Sequence, residues 1–100
     1  MAGAFWWFFH ASPVVVIRNA GVAEISSVRV ETDIGESYSA GALAVKASVR
    51  VTVSGRDKLV WVVAQLPSGA VKESEKVYVS SSGTVFAVVT DSGVVIQWEP

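Results

Sequence analysis

Apolar residues fall into short runs closed by Gly, Asp, Asn, Ser or Pro, and the runs are of two kinds. Some alternate apolar with polar side chains, as a strand with one wet face does; others are apolar throughout and suit strands covered on both faces. Ile25 to Thr32 alternates, with Val28, Val30 and Thr32 on one side and Ser27, Arg29 and Glu31 on the other. Ser48 to Val53 does the same, setting Val49, Val51 and Val53 inward against Arg50, Thr52 and Ser54. Lys58 to Leu66 is the most continuous apolar run in the body of the chain, and its Val and Trp content predicts a central strand buried on both faces.

Shorter runs complete the set. Val14 to Arg18 follows Pro13, and Asn19-Ala20-Gly21 tolerates the positive φ of a turn. Asp33 to Glu36 bends the chain into Ser37 to Leu43, a weak strand of small residues placed best at a sheet edge. Gly55 to Lys58 has the length of a hairpin loop and predicts antiparallel pairing of Ser48–Val53 with the central strand. Val71 to Val79 is charged in its first half and apolar in its second. Thr84 to Thr90 and Val94 to Trp98, joined through Asp91-Ser92-Gly93, form a second hairpin. The fold class is therefore all-β, an immunoglobulin-like antiparallel β-sandwich of seven or eight strands. Residues 13–100 make the sandwich and residues 1–12 an aromatic N-terminal arm or strand. Its expected core is Val16, Val28, Val30, Val49, Val51, Val53, Trp61, Val63, Val77, Val79, Phe86, Val88 and Ile96, with Trp61 as the anchor.

Composition narrows the partners. One hundred residues support one core and no second domain. Eight basic against nine acidic residues give a net charge of -1 without charged blocks, so nothing here attracts a nucleic-acid backbone. Cysteine is absent, which removes disulfides and thiolate metal sites.

The run Phe5-Trp6-Trp7-Phe8-Phe9 is the candidate binding element. As a strand it would send Phe5, Trp7 and Phe9 to one side and Trp6 and Phe8 to the other, and one sheet face cannot hide both sets. A second copy of the chain or a protein partner would cover the remainder. The alternative is the trimmed end of a membrane anchor, since Trp clusters mark bilayer interfaces; the run itself is too short to span and lacks a basic leader.

At Val16-Ile17-Arg18-Asn19-Ala20-Gly21, Ile25-Ser26-Ser27-Val28-Arg29-Val30, Gly41-Ala42-Leu43 and Val49-Arg50-Val51-Thr52-Val53 the chain resembles bacterial immunoglobulin-like surface domains. It carries Ala44-Val45-Lys46-Ala47 where such domains tend to place a Pro-Gly turn. The resemblance implies an extracytoplasmic or membrane-tethered binding or structural module and carries over no functional residue.

Catalysis finds little support. His10 is the only histidine, so a Ser-His-Asp triad would have to recruit it from the aromatic arm. Glu73 and Glu75 could serve acid–base or cation chemistry, but Lys72 and Lys76 beside them suit a solvated strand end that blunts an edge. Asp33 and Glu36 around Gly35 lack EF-hand spacing and suit a turn. The expectation is a non-catalytic module without cofactor or metal that self-associates or binds a protein; a small-ligand or cation-binding domain is the alternative.

Overall fold

Turn residues cut the chain where the pattern predicts, and the computed structural model describes residues 12–55, 57–80 and 83–99. Among these residues there are nine strands and no helix: β1 (Val14–Asn19), β2 (Ile25–Thr32), β3 (Ser37–Leu43), β4 (Ser48–Thr52), β5 (Lys58–Gln65), β6 (Val71–Glu73), β7 (Val77–Val79), β8 (Thr84–Thr90) and β9 (Gly93–Glu99). They form an all-β sandwich of two sheets. One has the order β4-β1-β8-β9; the other has the order β3-β2-β5-β6, with β7 also paired to β5. Pairing is antiparallel except between β1 and β8, which run parallel from Val14↔Thr84 to Asn19↔Val89. Among the described residues no helix is long and apolar enough to cross a membrane.

The extra strand arises within Val71–Val79. β6 pairs with the second half of β5 and β7 with its first half, so the segment is one edge strand interrupted at its middle. Ser74 holds the interruption against β5. Its N–H donates to the Val62 carbonyl at 2.9 Å, its Oγ accepts from the Val62 N–H at 2.9 Å, and its hydroxyl donates to the Glu75 carbonyl at 2.8 Å. The expected hairpin between Thr84–Thr90 and the last strand is present, with Thr90 paired to Gly93 across Asp91-Ser92. β3 lies at an edge, also as expected.

The expected hairpin of β4 with β5 does not form. β4 pairs with β1 and β5 pairs with β2, so the connection crosses from one sheet to the other. Gly55 (φ 76°) and Asp57 (φ 63°) adopt left-handed backbone in this crossing. A strand apolar on both faces gains most from a central place, and β5 takes one, with β2 on one side and β6 and β7 on the other.

The core lies between the sheets. Val15, Ile17, Val30, Val53, Val62, Val79 and Val85 are fully buried within it, joined by Val28, Val51, Val60, Ala64, Ala87 and Val89. Val49, Val77, Ile96 and Trp98 pack against it, partly buried. The alternation of the patterned strands, β2 and β4, is as expected. The uniformly apolar strands are different. In β1 it is Val15 and Ile17 that point inward, not Val16, and in β8 it is Val85, Ala87 and Val89, not Phe86 and Val88. In β5 the inward set is Val60, Val62 and Ala64; Trp61 is half-buried on the outer face, and Val63 is buried but outside the core cluster. Trp61 is thus no core anchor. A strand without polar members has no internal signal for its phase, and a one-residue shift exchanges its two faces. Here the phase follows the ends: Pro13 and Asn19 are buried, so the odd positions of β1 face in.

Candidate protein-binding surface

The phase of β1 and β8 leaves apolar side chains outside the sandwich. Register sets them in rows across the four-stranded sheet: Arg50, Val16, Phe86 and Gln97 lie side by side, and next to them Ser48, Arg18, Val88 and Val95. With Val14 this makes a stripe of Val14, Val16, Phe86, Val88 and Val95, its neighbouring strands about 4.8 Å apart. Phe86 is 41% and Val95 67% exposed. Arg18 and Arg50 border it on one side, Gln97 and Glu99 on the other, so an apolar strip has a polar rim, the layout of a protein-binding patch.

The outer face of the five-stranded sheet is closed differently. Lys76 Nζ stands 4.6 Å from the centroid of the Trp61 ring, and Arg29 is ion-paired with Glu31 on the neighbouring strand β2. A cation over the ring uses its negative face and leaves that surface mixed in character.

The two ends of the sandwich carry its other polar clusters. At one end Asn19, 1% exposed, donates from Nδ2 to the carbonyls of Ala23 (2.9 Å) and Leu43 (3.1 Å), and its Oδ1 accepts from Gly21 N–H at 3.0 Å. Beside it Asp91 Oδ1 accepts from Val22 N–H at 3.2 Å, and these groups border a cleft of about 300 Å³ that Ile25, Leu66, Pro67 and Val89 also line. A Cβ at Gly21 would lie 2.8 Å from Asp91 Oδ1, so a side chain there would push the Asp91 carboxylate aside. At the other end Lys58 is buried, and its ammonium donates to Glu36 Oε1 at 2.8 Å and to the Ser54 carbonyl. That hydrogen bond holds the Glu36 carboxyl below its ordinary value of 4.5, with desolvation opposing and the Lys58 charge and Tyr38 adding to the drop.

The sequence-predicted binding residues Phe5, Trp6, Trp7, Phe8 and Phe9, and His10, lie outside the described residues. Glu73 and Glu75 are exposed on the interrupted edge strand. Asp33 and Glu36 are used structurally, Asp33 Oδ1 accepting from Leu59 N–H at 3.1 Å and Glu36 pairing with Lys58. Among the described residues no three His, Cys, Asp or Glu side chains converge as a metal site would require. The exposed stripe was not anticipated. The only signal for it is that Val14–Ile17 and Val85–Val89 carry more apolar residues than one inward face can take.

No family model matches the sequence, and no curated protein does. Solved structures do resemble the fold. A protein from Eubacterium rectale, solved by NMR, superposes with a TM-score of 0.59 at 13% identity over 88% of each chain. A "putative cell adhesion protein" from Bacteroides ovatus superposes with a TM-score of 0.61 at 9% identity over 91% of this chain, which spans only 44% of that protein. At such identities the likeness is one of fold, that of a β-sandwich.

Proposed function

We propose that this chain is a non-catalytic, immunoglobulin-like module of a bacterial cell surface that binds another protein chain, a partner or a second copy, through apolar β-sheet surface. The observation that carries the reading is the stripe of Val14, Val16, Phe86, Val88 and Val95 outside the core. Apolar side chains in register over several strands cost solubility unless something covers them, and a polar rim on both flanks suits a docked polypeptide. The aromatic run Phe5–Phe9 adds a second apolar element to the same chain. Extracytoplasmic placement is supported by the resemblance in the first half of the body and by the adhesion designation of the Bacteroides protein.

The probe is 1-anilinonaphthalene-8-sulfonate on the intact native chain. The stripe should bind the dye, and Phe86→Lys should remove most of that fluorescence while the fold persists. A native chain without dye uptake, or a variant with undiminished uptake, overturns the reading. The small-ligand alternative rests on the cleft beside Asn19 and Asp91. Saturable thermal stabilisation by a small molecule, lost in Asp91→Ala, would favour it.

A further inference from the structure

A β-sandwich has four sheet edges, and each is a row of main-chain donors and acceptors open to another strand. Three of them here are blunted. β4 is short and carries the exposed Arg50 at its midpoint, so self-pairing centred there would set like charges together. β3 is distorted by Gly41 (φ 78°) and by two register shifts against β2. The β6–β7 edge is broken at Ser74–Lys76 and flanked by Lys72, Glu73, Glu75 and Lys76.

β9 has none of these devices. It runs seven residues in unbroken register with β8, no described strand pairs with its other side, and Gly93 to Trp98 contains neither charge nor proline. The two-residue turn makes Thr90 and Gly93 a hydrogen-bonded pair, so Val95 and Gln97 bond to Val88 and Phe86. The main-chain groups of Val94, Ile96 and Trp98 therefore point away from β8.

We infer that β9 is the seam of a homodimer, in which two copies of the chain pair antiparallel edge to edge about Ile96. In that register Ile96 meets Ile96 of the second copy, Val94 meets Trp98, Val95 meets Gln97, and Glu99, the strand's one charge, meets Gly93. No like charges oppose, and the pairing makes roughly six main-chain hydrogen bonds, two for each of three bonded pairs. The two four-stranded sheets become one, and the stripes of both copies lie on one continuous face. A second copy fits better than an unrelated peptide because the edge is complementary to itself under a two-fold axis.

Amide hydrogen exchange of the full chain, read by NMR at several concentrations together with sedimentation velocity, tests this. The Val95 and Gln97 amides should be protected at every concentration. Those of Val94, Ile96 and Trp98 should be protected only where the chain sediments as a dimer, and should exchange faster on dilution. Ile96→Pro removes an outward donor at a position where an edge strand tolerates proline, and should yield a monomer. Should that variant not fold, Val95→Glu at the exposed neighbour sets a carboxylate diagonal both to the same position and to Glu99 of the second copy, and should weaken the dimer roughly tenfold or more. Rapid exchange of the three amides at the highest concentration overturns the proposal, as does a dimer in which they stay unprotected. Protection independent of concentration overturns it too, because the edge would then be covered within one chain.

Discussion

Phe86 and Val85 are neighbours in β8 with opposite surroundings, and replacing each by lysine tests the orientation of the whole four-stranded sheet. Val85 is fully buried between the sheets, whereas Phe86 is 41% exposed on the outer stripe. Full burial of such a side chain is worth about 1.5–3 kcal/mol, and Phe86 is about three-fifths covered, so its removal forfeits about 1–2 kcal/mol. A lysine stem lying along Val16 and Val88 returns part of this while its ammonium stays in water. Phe86→Lys should therefore cost about 1 kcal/mol, a fall in Tm of about 4–8 °C for a domain of this size. At Val85 the ammonium would enter the core without a partner. An uncompensated buried charge costs about 3–5 kcal/mol, and the longer side chain adds strain of about 1–3 kcal/mol. That sum rivals the whole stability of a small domain, about 5–15 kcal/mol, so Val85→Lys should be largely unfolded. Urea denaturation followed by circular dichroism gives both values. If Phe86→Lys costs the 3–5 kcal/mol typical of emptying a core phenylalanine and Val85→Lys is tolerated, the phase assigned to β8 is wrong.

Three further substitutions separate outer-face, core and charged contributions. Trp61→Ala should cost about 1–2 kcal/mol, below the range for a core aromatic, and a double-mutant cycle with Lys76→Ala should return about 0.5–1 kcal/mol of coupling for the cation over the ring. Asn19→Asp removes both Nδ2 donors and sets a carboxylate against the carbonyls of Ala23 and Leu43, so urea denaturation at pH 7 should show a loss of about 3 kcal/mol or more. Because Lys58 lowers the folded-state pKa of Glu36, that carboxylate stabilises the fold above its unfolded value of 4.5, and the contribution disappears as pH falls through the depressed folded value. The stability gap between the native chain and Glu36→Gln should accordingly close in the acid limb of a pH series; a gap constant from neutral pH into that limb would show that the ion pair does not shift Glu36.

Composition, turn residues and period-2 patterning were enough to determine an all-β sandwich, because β2 and β4 carry their own face assignment in alternating Val and polar residues and the turns at Gly35 and Asp91-Ser92 are local chemistry. Even the edge position of β3 was legible, from its small residues. The tertiary structure alone decided three things. It set the phase of β1, β5 and β8, whose unbroken apolar runs satisfy either orientation until Pro13, Asn19 and the strand register select one. It sent β4 and β5 to different sheets, since loop length permits a hairpin or a crossing equally and only the burial of both faces of β5 discriminates. It also placed Val14, Val16, Phe86, Val88 and Val95 on one surface. β8 and β9 form a local hairpin, but β1 lies far from both in sequence, and its pairing with β8 is a long-range choice that no local pattern encodes.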